Sequence, residues 1–168
     1  MQEQINSSPH MDNTPLSFKV GFFTSQAITT SNYFIKWSCG NYSKEVNNTW
    51  LDTGFSLENG GTNILCPKTG LMYLTVQLAF DYTTNSSSVP FELAINNTKT
   101  NSLSRLMQVV HYQSTPCQLS GIVYVDEPKS LCVEVRSKND SFTLTPQSKV
   151  KITSRSELPL SFFCGYYI

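Results

Sequence analysis

Charge is scarce in this chain. Charged residues make up 14% of its 168 positions, with 12 Lys plus Arg balanced against 12 Asp plus Glu, where about a quarter is usual. A neutral surface argues against nucleic acid or an anionic membrane as partner. Long hydrophobic runs are missing too: nothing approaches the roughly eighteen apolar residues of a membrane span. Met1 to Thr14 (MQEQINSSPHMDNT) has no apolar stretch, so it is not a secretory signal peptide, and the lack of any address suggests an anchoring segment upstream. Only two histidines occur. His10 falls in the polar N-terminal tail, and His111 stands alone in a strand pattern. The five cysteines are widely spaced, with no C-x-x-C and no histidine partner, which argues against zinc. There is no G-x-S-x-G, no H-E-x-x-H and no glycine-rich phosphate loop. Asp126 and Glu127 are adjacent but read as a turn before Pro128. No catalytic constellation is present. The expectation is a non-enzyme with no cofactor and no small-molecule substrate.

Aromatic residues are plentiful, at 12%, and the segment that organises the chain is Ile64 to Phe80 (ILCPKTGLMYLTVQLAF). From Gly70 it alternates with a period of two. Met72, Leu74, Val76, Leu78 and Phe80 fall on one side, and Tyr73, Thr75, Gln77 and Ala79 on the other. That is strand periodicity with a uniformly apolar first face. The second face is uncharged and semi-polar. It lies either under another subunit or under a loop of its own chain.

Met1 to Pro15 is polar and without periodicity, and reads as a disordered stalk. Residues 16 to 168 then form one domain. Strand patterns fall at Leu16–Thr24, Tyr33–Ser38, Phe55–Leu57, Thr62–Cys66, Gly70–Phe80, Val89–Asn96, Leu106–Tyr112, Gln118–Val125, Ser130–Ser137 and Leu160–Ile168. Ser25–Asn32, Asn97–Ser104 and Lys138–Leu158 read as polar connections, the last with a strand-like patch at Lys149–Thr153. No segment supports a helix. The pattern predicts an all-β, antiparallel sandwich or jelly roll. The final strand is aromatic on both faces, with Phe162, Cys164, Tyr166 and Ile168 against Phe163, Gly165 and Tyr167, so it should be central and covered. An immunoglobulin sandwich does not fit. Trp37 precedes the first cysteine, and no Tyr stands two residues before Cys66 or Cys132.

N-x-S/T sequons occur at Asn6, Asn41, Asn47, Asn85, Asn96 and Asn139, all in stretches that read as loops or strand ends. Six sequons exceed the chance expectation and favour an extracellular or secreted glycoprotein. Cys39, Cys66, Cys117 and Cys132 are then disulfide candidates, with the pairing open, while Cys164 lies mid-strand among aromatics.

Three segments carry a resemblance. CPKTGLMYLTVQLAF resembles the central strand of tumour necrosis factor ligands. QLSGIVYVDEPKSLCVEV resembles the later pair of strands in that family, and SFFCGYYI its closing Phe-Phe-Gly strand. The three occur in family order over residues 16 to 168. Departures are Pro128-Lys129 in place of Gly-Asp, Cys164 inserted before Gly165, and no cysteine between Asp81 and Pro90 to match Cys117, so no disulfide is carried over. The resemblance implies a homotrimer of jelly rolls, the ectodomain of a type II membrane protein or its shed form. Tyr73, Thr75, Gln77, Phe162, Tyr166 and Ile168 would lie near the three-fold axis. It also implies a cysteine-rich cell-surface receptor held in the groove between subunits, lined by the loops Ser25–Tyr33 and Asn97–Arg105, with Tyr33 and Arg105 as contacts. The Cys-Pro-x-x-Gly segment also suits the globular heads of complement-type proteins, although no Gly-X-Y repeat occurs here. An adhesive or structural jelly roll is the third reading.

Overall fold

Met72, Leu74, Val76 and Leu78 are fully buried, and this row forms the middle of a two-layer sandwich. The computed structural model describes residues 14–22, 26–28, 32–39, 49–81, 91–99, 102–111, 117–137, 142–145 and 161–168. The segment Met1 to Pro15 expected to be a stalk, apart from its last two residues, and the expected strand-like patch at Lys149–Thr153 lie outside them.

The row belongs to β7 (Gly70–Asp81), at the heart of the first sheet. Along Met72–Gln77 it pairs antiparallel with β13 (Phe162–Tyr167), and along Gly70–Leu78 with β10 (Cys117–Val125). Beyond β13 lies β1 (Ser17–Gly21), then the short edge strand β4 (Trp50–Leu51). The far end of β7 pairs with β12 (Phe142–Thr145), which in turn carries β2 (Gln26–Ile28). In the second sheet, β11 (Ser130–Ser137) lies between β8 (Phe91–Lys99) on one side and both β6 (Asn63–Leu65) and β3 (Asn32–Phe34) on the other. β5 (Ser56–Glu58) and β9 (Ser102–His111) close the edges. All these pairings are antiparallel. Sequence-distant strands lie side by side, as in a jelly roll.

The closing strand is central, between β1 and β7, because only a doubly paired strand accommodates so apolar a sequence. Phe163 packs edge-on against Phe18 at 5.0 Å, and Phe18 against Phe55 at 5.2 Å. Gly165 faces this core. A Cβ there would sit 2.5 Å from Leu74 Cδ2 and 2.9 Å from Phe18 Cε1, so the close approach of β13 to the core demands glycine.

The polar connections are shorter than the sequence suggests. Asn97–Ser104 is not a loop: β8 runs to Lys99 and β9 starts at Ser102. Asn97 and Thr98 find partners on neighbouring segments. Asn97 Nδ2 donates to the Asp126 carbonyl at 2.8 Å, and Thr98 Oγ1 lies 3.2 Å from Cys132 Sγ. Polar residues satisfied across strands do not need water, so polarity alone misread them. β2 within Ser25–Asn32 and β12 within Lys138–Leu158 are likewise strands. Among the described residues no helix is long and apolar enough to cross a membrane.

Candidate functional site

Residues directly opposite one another in an antiparallel pair share a face, so the registers of the first sheet define its outer surface. One row reads Gln118, Gln77, Phe162, Gly21. The next reads Ser120, Thr75, Cys164, Lys19, Trp50. The third reads Ile122, Tyr73, Tyr166, Ser17. The fourth joins Tyr124 to Leu71, whose carbonyl accepts from the Ile168 amide at 3.1 Å. Of the seven large hydrophobic side chains exposed among the described residues, six lie here: Trp50, Leu71, Ile122 (62%), Tyr124, Tyr166 and Ile168 (65%). Scattered exposed apolar residues are normal, whereas a contiguous face of them marks an interaction site.

All six expected axial residues are on this surface. Tyr73, Gln77 and Phe162 are half-buried, Tyr166 and Ile168 are exposed, and Thr75 is buried between its neighbours. Hydrogen bonds with Ser120 and Thr75 hold the Tyr73 phenol below its ordinary value. Lys19 is the only charged side chain in the four rows, and its ammonium stands 4.8 Å over the Phe162 ring. Trp50 is fixed by donating Nε1 to Ser17 Oγ at 2.9 Å. Between them, an apolar groove of about 610 Å³ is lined by Trp50, Lys19, Phe162, Cys164 and Tyr166. Leu71, Trp50, Ile122 and Tyr124 were not expected from the sequence. The signal was present in β10: Gln118 and Ser120 set a polar phase that Ile122 and Tyr124 break.

The two expected receptor contacts are not brought together. Tyr33 lies opposite Val135 on the core side of the second sheet. Its ring packs against the core, and its hydroxyl donates to Gln26 Oε1 at 2.9 Å. Partial burial pushes its phenol up. Arg105 stands opposite Asn96 on the other side of that sheet. It is no loop residue but part of β9, with Nη1 3.2 Å from Glu92 and Nη2 3.9 Å from Glu134.

Two further expectations need correction. Asn96 is neither exposed nor in a loop. It lies within β8 with 0% exposure, and its Nδ2 donates to Glu134 Oε2 at 2.9 Å, so the atom a glycan would use is occupied and enclosed. Asn6, Asn41, Asn47, Asn85 and Asn139 lie outside the described residues. Cys66 and Cys132 are thiols, not disulfides. They belong to different surroundings, Cys66 in the core and Cys132 level with Asn63 and Asn96. Burial pushes Cys66 up to about 12 and raises Cys132 as well. Cys39 is half-buried against the core, and the Cys117 side chain lies outside the described residues. Among the described residues no group of His, Cys, Asp and Glu is placed to hold a metal.

The fold is that of the jelly rolls of tumour necrosis factor-family ligands. Murine APRIL, solved at pH 5.0, superposes with a TM-score of 0.59 at 10% identity, covering 92% of this chain and 99% of that one. Murine APRIL at pH 8.0 superposes with the same score at 12% identity, covering 91% and 98%. No family model and no curated protein matches the chain in sequence.

Proposed function

We propose that this protein is an extracellular ligand that assembles as a homotrimer and gathers cysteine-rich receptors of the tumour necrosis factor receptor type. The observation that carries the reading is the outer face of the first sheet, where six large hydrophobic side chains stand exposed around a single lysine. Burying half-exposed side chains of this size is worth roughly 1 kcal/mol apiece. Association of two bodies costs at least about 4 kcal/mol in lost freedom, so the face is useful only when most of it is covered at once. A closed ring does this: each copy presents the face to its neighbour, and closure leaves no sticky surface behind. Such a ligand acts by holding several receptors together rather than by chemistry.

Light scattering on the deglycosylated protein tests this directly. The expected mass is three times that of one chain, falling to one for Tyr73→Lys, whose ammonium would be buried unpaired in the assembled face. On a surface coated with a cysteine-rich receptor ectodomain, the trimer should dissociate at least tenfold more slowly than the Tyr73→Lys monomer, because only the trimer engages several receptors. A wild-type monomer at micromolar concentration would sink the reading and leave an adhesive jelly roll in its place.

A further inference from the structure

The sequon Asn96-Asn97-Thr98 has both of its chemically essential groups engaged within the protein. Asn96 is fully buried, and its amide nitrogen is bonded to Glu134. Glu134 is itself buried at 1% exposure. It also accepts from Arg136 Nε, and Arg105 Nη2 stands 3.9 Å away. The Thr98 hydroxyl is turned onto Cys132 Sγ. Both flanks of this stretch of β8 are paired, with β11 through Cys132 and with β9 through Arg105.

We propose that this sequon is a point of commitment between two exclusive fates of the chain. Transfer of an oligosaccharide from a lipid-linked diphosphate donor would break the sugar C1–O bond, form a bond from Asn96 Nδ2 to C1, and release the lipid diphosphate together with the displaced Nδ2 proton. The sugar would then occupy the space of Glu134 and its two arginines, and the buried carboxylate would lose a donor. A chain modified at Asn96 therefore cannot close the second sheet. The competition is real because the partner that buries Asn96 lies 38 residues further along the chain. During synthesis an extended Asn-Asn-Thr is exposed before Glu134 exists to claim it, and an exposed N-x-T is an acceptor. Chains that escape transfer fold with the amide against Glu134. Chains that do not escape are diverted. The secreted protein is thus expected to be bare at Asn96 whatever its other sequons carry.

This rests on the extracellular reading only for its setting, and an appended signal peptide supplies that setting independently. The whole chain is routed through the secretory pathway, and glycopeptides are mapped in the secreted and the retained pools. The expected result is an unoccupied Asn96 in the secreted pool and an occupied one in the retained pool. Thr98→Ala, which destroys the sequon but keeps Asn96, should raise the secreted yield at least twofold. Thr98→Ser, which keeps it, should not. Both variants should give wild-type yields from a bacterial cytosol, where no transfer occurs, which separates a glycan effect from the lost Thr98–Cys132 contact. Occupancy of Asn96 in secreted protein of native mass would overturn the proposal, as would an unoccupied Asn96 in both pools. The appended signal peptide makes these outcomes independent of whether the protein is extracellular in its own setting.

Discussion

Tyr166 stands directly across the strand pair from Tyr73, with ring centroids 5.4 Å apart and 31° between the planes, on the side of the sheet that faces away from the core. Cross-strand aromatic pairs stabilise a sheet, but this one leaves Tyr166 45% exposed, so the pair offers a flat apolar platform. Tyr166→Asp should leave the fold intact, with a stability change within about 0.5 kcal/mol as at other exposed positions. It should nevertheless dissociate the proposed homotrimer. Cys164, half-exposed in the next row, gives a second readout. Iodoacetamide should label it several-fold faster in the variant than in the wild type. Equal labelling rates at equal molar mass would mean that the platform is not an interface.

Gly165 makes a sharper structural prediction. Its missing side chain lets β13 lie against Leu74 and Phe18, and a methyl group would overlap both. Overpacking of this kind costs about 1–3 kcal/mol. Gly165→Ala should lower the urea midpoint accordingly, and combining it with Leu74→Val should recover part of the loss, because the shorter side chain removes the nearest clash. Additive losses in the double variant would mean that the damage comes from elsewhere on the strand.

The sequence revealed β7 and β13 because their information is local. Alternation in Gly70–Phe80 and the aromatic run at the C-terminus need no knowledge of partners. It hid what depends on distant strands. Asn96 reads as an exposed acceptor only until Glu134 is seen beside it, and Asn97–Ser104 reads as a loop only until Asp126 and Cys132 supply hydrogen-bond partners. Tyr33 and Arg105 were grouped by residue type, yet strand parity puts them on opposite sides of one sheet. Two of the six exposed apolar side chains, Ile122 and Tyr124, came from a strand whose break in phase is visible in four residues.

The Asn96–Glu134 contact also predicts a pH-dependent variant. Asn96→Asp, made in unglycosylated protein, would set a second carboxylate against a buried one and remove the amide donor. At neutral pH the loss should be about 1–3 kcal/mol, the cost of taking a hydrogen-bond donor away from a buried group. The introduced carboxyl, set beside a like charge in a buried site, has its folded-state pKa raised above the unfolded carboxylate value of about 4. A raised carboxyl pKa favours the folded state as pH falls, so the deficit against wild type should shrink between pH 7 and 4. A deficit independent of pH would show that the two carboxylates do not interact.

Alkaline stability should depend on Cys66, alongside Cys132 and Cys164, whose thiols burial also raises. Burial pushes the Cys66 thiol from 9.0 up to about 12, with the sulfur enclosed in the core at 1% exposure. A group that stays protonated in the folded chain but ionises in the unfolded one stabilises the fold below its unfolded pKa. That stability is lost as pH rises through the interval between the two values. Unfolding free energy should therefore hold up to about pH 9 and then decline toward pH 12, with a slope of up to about 1.4 kcal/mol per pH unit for a single group. Tyr167, raised by burial from 10.0 to about 12 while its hydroxyl donates to the Lys68 carbonyl, adds to the upper part of the same window. Cys66→Ala removes the first contribution. It should lower stability at pH 8 by about 1 kcal/mol through lost packing, yet flatten the decline between pH 9 and 10, below the ordinary Tyr167 value of 10.0. Urea titrations of the two proteins at half-unit intervals resolve the difference. Parallel curves across that interval would show that the thiol ionises without consequence and that its burial in the core is relieved as the pH rises.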